Sequence, residues 1–141
     1  MCKSDRKKVI ITDKAPRAIG PYSVGIQTDC FVFTSGQLGL NPITGEIVSG
    51  GIEAETRQVI INLKNVLEAV DSSLDSIVKT TVFLKDMNDF TRMNTVYGEF
   101  FSKNPPARTT VAVKDLPKGA LIEIDAITMN TTGHSDQVDV A

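Results

Sequence analysis

The chain has 141 residues, of which 41% are hydrophobic and 23% charged, proportions that suit one domain built around one core. Its net charge is −2, and no basic run is interleaved with aromatics, so bulk electrostatics offer no case for nucleic-acid binding. Two cysteines (Cys2 and Cys30) without metal or disulfide spacing, and one histidine (His134) in a polar tail, exclude a zinc centre and a Ser-His-Asp triad. The apolar runs are only a few residues long, and the N-terminus has no apolar signal core, so a cytoplasmic protein without membrane attachment is the expectation. "NTT" at Asn130 matches a glycosylation sequon but carries little weight without a secretion signal.

In chain order, residues 1–6 are polar and expected to be mobile, as are residues 131–141. The intervening core, about residues 7–130, shows no repeat or linker and reads as strands, helix, strand, helix, strands. "KVIITD", "YSVGIQ" and "CFVFTSG" are short strands. "NPITGE" is a turn, with Pro42 presetting the backbone and Gly45 permitting positive φ. A first helix covers about residues 52–70, because Ile52, Thr56, Val59, Leu63, Val66, Leu67 and Val70 recur at helical spacing. "SIVKTTVFLK" alternates and is β-branched, which makes it a strand. A second helix starts at Asn88 or Asp89, either of which can cap it, and buries Phe90, Met93, Val96, Tyr97, Phe100 and Phe101. Pro105 and Pro106 stop that helix and lead into the strand "RTTVAV"; "LIEIDAI" supplies the last strand.

Strand side chains alternate between faces. Ile122, Ile124 and Ala126 share one face of the last strand; Leu121, Glu123, Asp125 and Ile127 share the other. In "RTTVAV", Val111 and Val113 oppose Arg108, Thr110 and Ala112. If the more apolar sets meet the helices, Arg108 and Glu123 both fall on the uncovered face. That face also carries Leu121, Ile127, Met129 and Phe83, which points to burial against another copy of the chain.

Four places could carry chemistry. Arg108, held rigidly behind two prolines, presents a fork that binds a carboxylate bidentately, and Glu123 can hold a water or move a proton; the same pattern fits a structural ion pair. Tyr22 in "AIGPYSVG" is displayed on a bend, as a ligand contact or as a packed aromatic. Ser35 and Gly36 in "FTSGQLG" end a strand where a ligand can approach the backbone, without any phosphate-binding glycine pattern. Asn94 lies within the second helix, as a site residue or a polar surface position.

"AIGPYSVG", "FTSGQLGLNPITGEIV", "SIVKTTVFLKDMNDFTRMNTVYGEFF" and "PPARTTVAVKDLPKGALIEIDAI" together resemble the RidA family (also called YjgF or L-PSP) over about residues 11–129. The resemblance implies an α+β, chorismate-mutase-like domain with a six-stranded mixed sheet and two helices on one face. It also implies a homotrimer with sites in the clefts between subunits. The implied activity is deamination of 2-imino acids, such as 2-iminobutanoate and 2-iminopropanoate, to 2-keto acids and ammonia, without cofactor or metal. By motif, Arg108 matches the residue that grips the substrate carboxylate and Glu123 the one that positions the hydrolytic water. Tyr22, Ser35, Gly36, Phe90 and Asn94 match pocket positions. Many members carry cysteine where this chain has Thr110, so thiol modification is impossible here, although a hydroxyl can still donate a hydrogen bond. Family members are also described as endoribonucleases or translation inhibitors, and a regulator binding small carboxylates, or a chaperone, is a third reading.

Overall fold

The computed structural model describes residues 7–132. The expectations placed on residues 1–6 and 133–141, Cys2 and His134 among them, lie outside the described residues. The strands are β1 (Lys8–Val9), β2 (Gly25–Gln27), β3 (Phe31–Thr34), β4 (Gln37–Leu38), β5 (Ile77–Leu84), β6 (Ala107–Ala112) and β7 (Ile122–Met129). The helices are α1 (Gly51–Glu68) and α2 (Phe90–Phe100). All belong to an α+β arrangement with one mixed sheet in the order β1-β2-β3-β7-β5-β6, and with β4 also paired to β7. The sheet has seven strands rather than six; β4 is two residues long, too short to show an alternation in sequence.

Every strand pair is antiparallel except β5 and β6, which run parallel because α2 crosses over between them. Among the described residues, β6 is an edge strand paired with β5 alone.

α1 forms where the sequence pattern places it. Gly50 and Gly51 begin it with φ of 120° and 76°, backbone that favours glycine. Its stripe of Ile52, Thr56, Val59, Ile60, Leu63, Val66 and Leu67 is buried against the sheet, and Val70 packs partly against the same cluster. α2 buries Met93, Val96, Tyr97 and then Phe101, while Phe90 stays 36% exposed. Neither Asn88 nor Asp89 caps α2 through its side chain. Asp86 does the capping one turn earlier, accepting from the Asn88 N–H at 2.9 Å at the head of a 3-10 turn.

From the sheet, Val32, Thr80, Val82, Leu84, Ile122, Ile124, Ala126 and Thr128 point toward the helices and are buried. Among the described residues, the opposite face carries no helix. It shows Val9, Phe31, Phe33, Phe83, Val111, Ile127 and Met129 beside Glu123 and Asp125, as their register pairings require. Leu121, placed on that face by alternation, packs against the core instead.

Two further details depart from expectation. Residues 131 and 132 are tied down: the Asn130 Nδ2 donates to the Thr28 carbonyl at 2.7 Å, its Oδ1 accepts from the Thr132 N–H at 3.0 Å, and the Thr131 hydroxyl donates to the Asp71 carbonyl at 3.2 Å. The sequon asparagine is thus a structural clasp. Cys30 is disulfide-bonded, which no cysteine spacing suggested.

Leu63 is wholly buried between α1 and the sheet. Leu63→Ala is expected to cost about 2–5 kcal/mol, read as a lowered midpoint in chemical denaturation with an unchanged m-value.

Candidate functional site

Arg108 is the second residue of β6. Its register partner across the parallel pair is Thr80, whose hydroxyl lies 2.7 Å from the Tyr97 phenol oxygen on α2. Register partners share a face, so Arg108 points toward the helices, not away from them. Its guanidinium carbon lies 4.8 Å from the Tyr97 ring centroid and 5.6 Å from that of Phe90. Phe90, Asn94 and Tyr97 are spaced four and three residues apart on α2, which puts all three on one side of the helix, facing the arginine.

Arg108 makes no ion pair among the described residues. A guanidinium stacked on two rings keeps its hydrogen-bonding edge for another partner. Close by in the fold, the Asn94 Oδ1 and the Thr110 Oγ1 are buried without a hydrogen-bond partner. Thr110 shares the face of Arg108, two residues along β6. Burial raises the Tyr97 pKa, against a lowering by the Thr80 hydroxyl and by Arg108, so its phenol stays neutral at physiological pH.

Glu123 is the second residue of β7 and pairs with Phe83 on one side and Leu38 on the other. It occupies the helix-free face. Gly36 lies directly beneath it: a Cβ there would sit 2.7 Å from the Glu123 carboxyl carbon, so only glycine leaves the carboxylate its place. Glu123 lines a pocket with Tyr22, Gly36, Gln37, Leu38, Arg17 and Pro117. Burial, with a smaller contribution from Asp125, raises the Glu123 pKa. Burial likewise raises that of Asp125, against bonds from Thr81 and the nearby Lys79.

Tyr22 is 47% exposed, so it is not packed in the core, and it lines this pocket. Its hydroxyl accepts from the Ile19 N–H at 3.1 Å. The Ser35 hydroxyl donates to the Ser23 carbonyl at 2.5 Å, which fastens the strand end beside Gly36.

The sequence-selected residues therefore gather into two groups. Arg108, Thr110, Phe90 and Asn94 form one, on the helix side at the sheet edge. Glu123, Gly36 and Tyr22 form the other, on the uncovered side. The expectation that Arg108 and Glu123 share a face is corrected. It assumed that the apolar Val111 turns inward, but α2 presents aromatic rings to the edge strand, and these rings accept an arginine. Three contributors escaped sequence reasoning: Tyr97, assigned wholly to the core; Gln37; and Arg17, an exposed cation beside the Glu123 pocket. Position within "KAPRAIGP" was the one available signal for Arg17.

Among the described residues, no cluster of three or more His, Cys, Asp or Glu could hold a metal ion, and no helix is long and apolar enough to cross a membrane.

A mixed sheet covered by two helices on one face, with an unpaired arginine at its edge and a half-buried glutamate on its bare face, defines a small α+β protein with split polar groups. The model of the family described as Endoribonuclease L-PSP matches residues 12–130, and the chain belongs to that family, which is also called RidA or YjgF. Human 2-iminobutanoate/2-iminopropanoate deaminase is 45% identical over 121 residues, covering 86% of this chain and 88% of the human protein. Among solved structures, Escherichia coli TdcF with bound serine is 42% identical with a TM-score of 0.83, covering 86% of this chain and 98% of that one. The E. coli YjgF gene product is 45% identical, with a TM-score of 0.83 and the same coverage of both chains.

A carboxylate whose folded pKa is raised binds protons more tightly when folded, so the fold loses stability as pH rises from the ordinary carboxylate range through that raised value. Glu123→Gln removes this penalty. The variant is expected to melt above the wild type at pH 7, and the difference should vanish below pH 4, as measured by calorimetric Tm across pH.

Proposed function

We propose that the protein is a cofactor-independent hydrolase that deaminates 2-imino acids, and that each active site is assembled from two copies of the chain within a homotrimer. One copy supplies Arg108 with Phe90, Asn94, Tyr97 and Thr110; a neighbour supplies Glu123 with Gly36 and Tyr22. The observation that carries this reading is that Arg108 has no anionic partner among the described residues, while the one site carboxylate lies on the opposite face of the same sheet. An unpaired, partly buried guanidinium fits a carboxylate-bearing substrate. The bare face, with Phe31, Phe33, Phe83 and Ile127, is the surface that a second copy would cover. The similarity to human imine deaminase supports the substrate class, and TdcF with bound serine supports a small ligand bearing an α-carboxylate.

In this mechanism Arg108 holds the carboxylate of the imine. Glu123 accepts a hydrogen bond from a water and orients it toward the imine carbon. The water passes one proton to Glu123 as its C–O bond forms, the C=N π electrons move to nitrogen, and nitrogen takes up that proton, which returns Glu123 to a carboxylate. The resulting carbinolamine passes its hydroxyl proton to nitrogen through the same carboxylate. The C–N bond then breaks, releasing ammonia and leaving the 2-keto acid. A raised Glu123 pKa makes the carboxylate a stronger base at neutral pH than a solvated one. Thr110 offers a hydroxyl on the Arg108 side, and no thiol takes part. RNA cleavage, named in the family's description, finds less support in a chain of net charge −2 with a single histidine.

The test couples an amino-acid dehydratase, as imine source, to keto-acid formation. Acceleration by the wild type should fall about 10²-fold or more in kcat/KM for Arg108→Ala and ~10²–10⁴-fold for Glu123→Gln. Activity should decline with falling pH through a value above the ordinary glutamate range. When the two inactive variants are refolded together, about one site in four should regain both intact halves, because each site draws on two chains. No recovery on mixing would refute the split site, and no acceleration by the wild type would refute the deaminase.

A further inference from the structure

Two buried polar side chains on α1 have no part in the mechanism above. Glu55 is 4% exposed, and Asn62 is fully buried. They stand seven residues apart, so both lie on the stripe of α1 that faces the sheet. Burying an amide or a carboxyl among Ile52, Val59 and Leu63 costs free energy unless its polar atoms are bonded, and the bonds that leave α1 go to the two segments flanking Glu123. The Asn62 Nδ2 donates to the carbonyl of Leu38 at 3.0 Å and to that of Leu40 at 2.9 Å, while its Oδ1 accepts from the Gln58 Nε2 at 2.9 Å. The Glu55 Oε1 accepts from the Leu121 N–H at 2.8 Å.

Between the two anchored carbonyls, Gly39 lies against the backbone of Glu55. A Cβ on Gly39 would meet the Glu55 Cα and carbonyl oxygen at 2.9 Å. The Gly39 carbonyl accepts from the Val48 N–H at 2.9 Å. All three carbonyls of residues 38–40 are thus fixed, although β4 is only two residues long. Leu38 is the register partner of Glu123, and Leu121 stands two residues before it. α1 therefore holds the chain on both sides of Glu123: the strand beside it and the residue leading into it.

We propose that Glu55 and Asn62 are positioning residues, which fix the Glu123 carboxylate over Gly36 at the angle that aims its water. This inference rests on the reading of Glu123 as the water-holding group. A purely structural role would lower stability without selecting Glu123. A positioning role predicts a loss in turnover at unchanged substrate grip, since neither residue touches the Arg108 group.

The experiment compares Asn62→Ser, Glu55→Leu and Glu55→Gln with Ile60→Val, a buried α1 substitution that breaks no polar contact. It measures kcat and KM for the dehydratase-generated imine, and it follows the titration of the Glu123 carboxyl by carbon-13 NMR. Asn62→Ser and Glu55→Leu are expected to lose about 10–100-fold in kcat with KM nearly unchanged, and to move the Glu123 titration toward the ordinary glutamate range. Glu55→Gln, which keeps an acceptor for the Leu121 N–H, should restore both. Wild-type kcat and titration in Asn62→Ser and Glu55→Leu would overturn the proposal, as would equal changes in Ile60→Val. If Asn62→Ser fails to fold, the two Glu55 variants decide. If the wild type turns over no imine, the deaminase reading fails, and the NMR titration still decides whether these residues set the Glu123 environment.

Discussion

Two helices can cover only one face of this sheet. α1 and α2 together bury the inward residues of β3, β5 and β7, and among the described residues no element covers the other side. Strand alternation then assigns every side chain of β5, β6 and β7 to a covered or a bare surface. It fixes where the polar groups of the site must lie. Arg108 is carried inward beside Thr80 and Tyr97; Glu123 is carried outward beside Phe83. No rotamer change returns them to one face, because the register of the central strands would have to slip by a residue and turn the core outward.

The surroundings of each group offset part of what its burial costs. Arg108 loses water on entering the sheet edge, and stacking on two aromatic faces offsets part of that loss without occupying its donors. Glu123 keeps an awkward half-buried position because Gly36 makes room for it and because the neighbouring strand is held from behind. Its raised pKa is the signature of that position, a carboxylate held half-buried at some expense to stability. The exposed ion pairs between the helices, Arg57 with Glu99 and Arg92 with Glu53, lie in solvent and contribute little by comparison.

The elements that bury apolar stripes were legible from spacing alone. The α1 stripe and the alternation of β5 appear in the sequence largely with the residues that the structure buries; of the α2 repeat the structure buries Met93, Val96, Tyr97 and Phe101, and leaves Phe90 exposed and Phe100 partly buried. Short elements were not: β4 depends on pairing with the distant β7, and the Asp86 cap serves a one-turn 3-10 helix too short to show a periodicity. The candidate site residues were chosen by motif, but their arrangement was not legible in the sequence. The sign of the β6 faces hinges on whether Val111 or Arg108 turns inward, and hydrophobicity alone favours the wrong one. Tyr97 explains the reversal: its ring and hydroxyl serve the core, Thr80 and Arg108 together, a combination that periodicity reads only as packing. Glu55 and Asn62 also escaped, because two polar positions in an apolar helix stripe look like interruptions until their backbone partners are seen.

The separation of Arg108 and Glu123 across the sheet has a consequence for concentration. If each site needs two chains, activity is a property of the assembly and not of the chain. Specific activity then falls on dilution as subunits part, and rises again when they are concentrated, with no change in the fold of any one copy. A small ligand bridging Arg108 of one chain and the Glu123 side of another would act as a molecular clasp, so substrate or product would shift the association equilibrium in the same direction as added protein.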